Sequence, residues 1–172
     1  MSTQDTQRLY LALDEGAFVE ETPRLVLRAA FAVDEDFCES YGFGKVPALA
    51  GEELEVAEHV AMQQAAYVNV RAATSPSRCL VAVAQAVSLP VSPREAVICE
   101  VGPELPGQRI LTEPLEWEQL VSFHVDEPGA IQRWSSLAHG SEAAFADYLE
   151  DPLELLWFDP SELVLLRQCL RD

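Results

Sequence analysis

With 172 residues, 49% of them hydrophobic, the chain has apolar material enough for one folded domain, expected to span 1–172, and too much to stay disordered. A formal net charge of −18 would repel a phosphate backbone, which argues against direct binding of nucleic acid. No apolar stretch reaches the roughly 18 residues that a membrane span needs, and residues 1–7 lack the features of a signal peptide, so a cytoplasmic protein with a disordered N-terminal segment is expected.

Arg8 to Leu13 reads as a first strand, and Asp14 ends it and caps a short helix, Gly16 to Glu21. A second apolar run, Leu25 to Val33, finishes as strand before Asp34 leads into a helix from Glu35 to Tyr41. Gly42 to Pro47 is loop by composition. A long helix follows from Glu52 to Ala73, with Leu54, Ala57, Ala61, Ala65, Val68 and Ala72 on one face. After a turn at 74–77, Arg78 to Val87 contains the run Cys79-Leu80-Val81-Ala82-Val83-Ala84. A strand apolar on both faces belongs in the middle of a covered sheet.

Glu95 to Val101 reads as the next strand, close enough to the last to form a hairpin, and 102–109 as a Gly/Pro-rich loop. Leu115 to Leu120 forms a short helix feeding the strand Val121 to Val125. Helices follow over Pro128 to Ala138 and from Ser141 to Glu150. Leu153 to Phe158 is a strand packed on both faces, and Asp159-Pro160 opens a last helix to Leu170, with proline at a first-turn position.

Asp14, Asp34, Asp126 and Asp159 each sit where an apolar strand runs into a helix. Helix capping explains this placement, because an N-cap carboxylate satisfies orphaned N–H groups. The same four carboxylates, brought together, would suit Mg²⁺, which takes oxygen ligands. His124 shares a strand face with Ser122 and Asp126, the residue types of a hydrolytic triad. Strand neighbours two apart lie roughly 6–7 Å apart, too far for direct bonds between short side chains, and no Gly-x-Ser-x-Gly elbow is present.

Glu55 and Glu58 with His59 supply one histidine where a zinc protease needs two, and read as a surface pair. Gly42-Phe43-Gly44-Lys45 lacks the spacing of a phosphate loop. Cys38, Cys79, Cys99 and Cys169 are too scattered for a metal site; Cys79 and Cys99 read as small buried hydrophobes. No cofactor is implied. Trp117, Trp134 and Trp157 read as core.

The segments Arg8-x-Tyr10, Ala30 to Val33, Glu52 to Glu55, Arg78 to Ala84, His124-Val125-Asp126 and Leu155 to Phe158 together resemble an uncharacterised family of small acidic actinobacterial proteins. A single lysine (Lys45), a single asparagine (Asn69) and three isoleucines fit a GC-rich genome. That resemblance implies a single domain and carries no established activity. The expected fold is α+β, a mixed sheet of about five or six strands with helices against it. The expected function is a non-catalytic binding or regulatory module that offers an acidic face to a basic protein. The alternatives are a Mg²⁺-dependent enzyme using the four aspartates, with His124 and Asp126 the weak catalytic candidates, and an inhibitor that imitates nucleic acid.

Overall fold

Strands that are apolar on both faces need cover on both, and that requirement organises this fold. The structure, a computed structural model, describes residues 7–45, 49–72, 78–86, 105–109, 111, 115–131 and 142–171. In chain order these form β1 (Gln7–Leu13), α1 (Glu15–Phe18), β2 (Leu27–Ala32), α2 (Glu35–Tyr41), α3 (Gly51–Ala72), β3 (Leu80–Ala86) and β4 (Gln108–Arg109). Then come β5 (Leu120–Asp126), α4 (Glu142–Glu150), β6 (Leu155–Phe158) and α5 (Leu163–Arg171). Single turns of 3₁₀ helix precede β5 (Trp117–Gln119) and α5 (Pro160–Glu162).

The six strands form one sheet in the order β4-β2-β1-β3-β5-β6. Every pairing among them is antiparallel, which refines the expected mixed sheet within the α+β class. β3 lies inside, as its apolar run requires, with Leu80 opposite Leu13 and Val125, and Val83 opposite Tyr10 and Ser122. Its even residues Leu80, Ala82 and Ala84 join Leu9, Leu11, Phe123 and Val125 beneath Phe18 of α1 and Leu166 and Leu170 of α5. Its odd residues Val81 and Val83 join Tyr10, Ala12 and Phe31 on the other face. There α3 lies across them, flanked by Phe37 of α2 and Phe145 and Tyr148 of α4.

Ala57, Ala61 and Ala65 recur every fourth residue and are fully buried, so α3 presents a stripe of small side chains to the sheet. Its two halves differ. Glu52, Glu53, Glu55, Val56 and His59 are exposed, whereas every side chain from Gln63 to Val70 is buried. Polar groups buried there need partners, and among the described residues all of these side chains find at least one, though Gln64 Oε1 stays unpaired. Gln63 donates to Leu153 O at 3.1 Å and accepts from Tyr148 Oη at 2.6 Å. Gln64 donates to Pro106 O at 2.7 Å, and Asn69 to Leu80 O at 2.7 Å. These bonds pin α3 to the α4–β6 loop, to the approach to β4 and to the start of β3.

Most element limits fall within two residues of expectation. The first helix is shorter than the segment to Glu21, and Leu115 to Leu120 holds only the 3₁₀ turn. The expected loop over 102–109 ends in β4. Gln7 of the expected disordered segment opens β1, residues 1–6 lying outside the described residues. Trp117 and Trp157 correct the expectation of core: Trp117 stands 40% exposed beside Phe18, and Trp157 59% with Leu156 48%, because β6 is an edge strand. Cys38 and Cys79 are buried and unbridged. The strand expected at 95–101, its hairpin, the turn at 74–77, the helix beyond Ile131, Cys99 and Trp134 lie outside the described residues.

Candidate functional site

Antiparallel register sorts the four aspartates before any contact is considered. Asp14 and Asp126 follow the ends of β1 and β5 at one end of the sheet; Asp34 and Asp159 follow β2 and β6 toward the other. Three of them cap helical turns. Asp14 accepts from Gly16 N at 2.9 Å, Asp34 from Phe37 N at 2.8 Å and Asp159 from Ser161 N at 2.9 Å. Asp34 also meets Arg109 Nη2 at 2.5 Å. The donors from Ser161 hold Asp159 below the ordinary carboxylate range. Among the described residues, no three His, Cys, Asp or Glu side chains are gathered so as to hold a metal ion.

Asp126 is different, being wholly buried. Its Oδ1 accepts from Cys79 N at 2.8 Å and Arg78 Nε at 3.3 Å, while Oδ2 has no hydrogen-bond partner among the described residues. Arg78 also donates to the Asp126 carbonyl and, at 2.6 Å, to Cys169 O on α5. Burial pushes the Asp126 carboxyl up, against the pull of the Cys79 N–H and the guanidinium. Burial raises Glu15 nearby in the same way. Next along this end, Arg28 Nη1 donates to Asn69 Oδ1 at 2.7 Å and to Leu13 O at 3.1 Å, and its Nη2 lies 3.6 Å from Asp14 Oδ1. This end of the sheet is closed: its charges are spent on fixing β1, β2, β3, β5 and α5 to one another.

His124 faces the other situation. Its Nε2 lies 2.9 Å from Ser122 Oγ, which corrects the expectation that residues two apart on the strand are beyond direct bonding. The strand spacing applies to backbone positions, and the imidazole reaches along the strand to cover it. Asp126 does not complete a triad: its Oδ1 accepts from Cys79 and Arg78, and no hydrogen bond joins it to His124 among the described residues. Burial alone lowers His124 to about 4, with no carboxylate to offset it. The imidazole is therefore neutral at neutral pH, and its Nδ1 has no hydrogen-bond partner among the described residues.

His124 and Ser122 line a pocket of about 460 Å³. Its floor is the sheet, with Tyr10, Val83 and Val121. One wall is α3, with Glu55, Glu58, His59 and Met62, and the rim carries Arg8 and Trp157. Trp157 is the cross-strand neighbour of His124. Such pairs stand roughly 5 Å apart at Cβ. Arg8 Nη1 lies 3.9 Å from Glu58 Oε1. Burial, with Glu58 beside it, raises the Tyr10 hydroxyl and keeps it protonated.

A second hollow of about 560 Å³ adjoins the first through His59 and Met62 and runs between α3 and the α4–β6 loop. Glu127, Glu150, Asp151 and Glu154 line it with Gln63 and Leu155. The two hollows form a cleft along the exposed half of α3, walled by six carboxylates and one arginine.

Sequence reasoning singled out His124 and took Glu55, Glu58 and His59 for a surface pair; the fold places all four on one pocket. It missed Arg8, Tyr10 and Trp157 as partners. The available signal was Arg8 and Tyr10 on one face of an otherwise apolar strand.

Fold and site together define a single α+β domain with an acidic cleft against one face of its sheet. The chain belongs to the "Family of unknown function (DUF6912)", which it matches over residues 7–166, so the expectation of an uncharacterised family is upheld. No curated protein and no solved structure matches it.

Proposed function

We propose that this protein is a non-catalytic binding module whose cleft along α3 receives a basic segment of a partner protein. The observation that carries the reading is the lining: Glu55 and Glu58 line one hollow, with Arg8 beside Glu58, and Glu127, Glu150, Asp151 and Glu154 line the other. A concave site with an exposed tryptophan and several carboxylates suits a cationic ligand with apolar stems, as lysine and arginine side chains are. An acid–base reading of Ser122 and His124 is less well supported. No carboxylate orients the imidazole among the described residues, and a base at about 4 has little affinity for a serine proton at neutral pH. The separation of Asp14, Asp34, Asp126 and Asp159 likewise favours binding over metal-assisted catalysis.

The test is calorimetric titration with a nine-residue peptide of alternating arginine and glycine, beside one of alternating glutamate and glycine, at about physiological ionic strength. Any cation is drawn to a chain of net charge −18, so the cleft must be separated from the field of the whole protein. Glu150→Gln with Glu154→Gln should weaken binding about tenfold, the equivalent of ~1.4 kcal/mol. Glu35→Gln with Glu39→Gln, on α2 outside the cleft, should change it little. Equal effects from both pairs would reduce the interaction to diffuse electrostatics and remove the reading.

A further inference from the structure

The pocket under Trp157 differs in character from the rest of the cleft, and the difference specifies one side chain. Four features meet there: an exposed indole, two carboxylates on adjacent turns of α3, a neutral imidazole and a protonated phenol. An anion is disfavoured. Arg8 is the only Lys or Arg among the described lining residues and lies beside Glu58, and His124 carries no charge at neutral pH. Tyr10 is already bonded to Glu58 and Arg8, and Ser122 to His124 Nε2, so the acceptor an apolar ligand would leave unmet is His124 Nδ1. Of particular weight is His124, nine-tenths buried, lining the pocket, with its Nδ1 unbonded among the described residues.

The geometry points to an anchor site for one arginine side chain of the partner, its guanidinium lying against Trp157 and donating to Glu55, Glu58 and His124. This inference rests on the basic-segment reading and adds to it the identity of the anchoring residue. A guanidinium is flat, stacks on an aromatic face and presents donors in a fixed fork. With His124 protonated on Nε2 and donating to Ser122 Oγ, Nδ1 is an acceptor, the role that a ligand with only donors requires. Lysine offers a compact charge without a plane and would use the carboxylates alone. Arg8, half exposed on the rim, lies 3.9 Å from Glu58 and bonds to Tyr10, and the incoming guanidinium takes its place beside Glu58.

The experiment uses the full chain and a peptide, acetyl-Gly-Ser-Arg-Ser-Gly-amide, with versions carrying lysine or citrulline in place of arginine. Binding is read by calorimetry and by the indole N–H signals of the protein. The arginine peptide should bind at least tenfold more tightly than the citrulline peptide, about 1.4 kcal/mol, and measurably more tightly than the lysine peptide. It should also shift the Trp157 indole signal, assigned by Trp157→Phe. Trp157→Ala and Glu58→Gln, both changes at accessible side chains, should each weaken it severalfold. His124→Gln should weaken it too, and its folding is checked separately because the site is buried.

Equal binding of the arginine and citrulline peptides, or an arginine peptide indifferent to both Trp157→Ala and Glu58→Gln, would overturn the anchor. Retained binding of the alternating arginine–glycine peptide in the cleft would then show that the broader reading survives. Loss of both peptides would show that it does not.

Discussion

His124 and Asp126 stand two residues apart on β5 and point to the same face, yet they belong to opposite kinds of surroundings. Asp126 closes one end of the sheet, where Arg78, Cys79, Arg28 and Asn69 satisfy one another and tie five elements together. His124 borders a pocket toward the other end, lined by Glu55, Glu58 and the exposed Trp157, with the buried Tyr10 bonded to Glu58 beneath it. α3 repeats the contrast along its length, with polar side chains used as internal fixings from Gln63 onward and carboxylates left exposed before it. A polar residue near a strand end is therefore not informative by type. What decides its role is whether its neighbours have already used its hydrogen bonds.

The sharpest way to break the comparison is at the closed end. Asp126→Ala strands the guanidinium of Arg78, 6% exposed, without its counter-charge. Losing one partner of a buried pair costs about 3–5 kcal/mol. Urea unfolding should show that loss, while Arg78→Leu combined with Asp126→Leu should recover much of it. A single substitution costing under about 1 kcal/mol would mean that this network is ornamental rather than structural.

The second prediction concerns pH. Folded His124 resists protonation down to about 4, against an ordinary value of 6.5, so as pH falls below 6.5 the unfolded chain takes the proton first. His124's contribution is thus present in full above pH 6.5 and lost as pH falls to about 4. A shift of that size is worth on the order of 3 kcal/mol. Asp126 works oppositely: its raised carboxyl is protonated first in the folded state, so its contribution falls as pH rises through that raised range. Unfolding free energies measured from pH 7 to 4.5 should decline in the native chain and decline less in His124→Gln. An unchanged slope in the variant would mean that the imidazole is not desolvated.

The smallest stability effect belongs to the open end. Glu55→Gln with Glu58→Gln should alter unfolding by no more than about 0.5 kcal/mol, since neither carboxylate sits in a buried pair. The same variant should weaken the arginine-containing peptides. Stability lost at one end and binding lost at the other is the pattern that the comparison requires.

Much of the fold was legible in the sequence. The unbroken apolar run of β3 called for a central, doubly covered strand, the spacing of Ala57, Ala61 and Ala65 for a helix face, and Asp34 for the cap of α2. The edge position of β6 was not legible, because an apolar strand reads the same in the middle of a sheet and at its margin, and so Trp157 read as core. The pocket was hidden for a different reason. Its residues come from β1, α3, β3, β5 and β6, and only strand order joins them. The Ser122–His124 bond was hidden by a spacing measured between backbones, when the reach of an imidazole closes it.

The most direct test of the central claim, that the exposed half of α3 and the edge strand form the binding face, is a backbone amide NMR titration with the alternating arginine–glycine peptide. Shifts concentrated in residues 55–62, 121–124 and 150–157, with Arg28, Arg78 and Asp126 unmoved, are the predicted result. Shifts centred on the closed end, or spread evenly over the acidic surface, would contradict it.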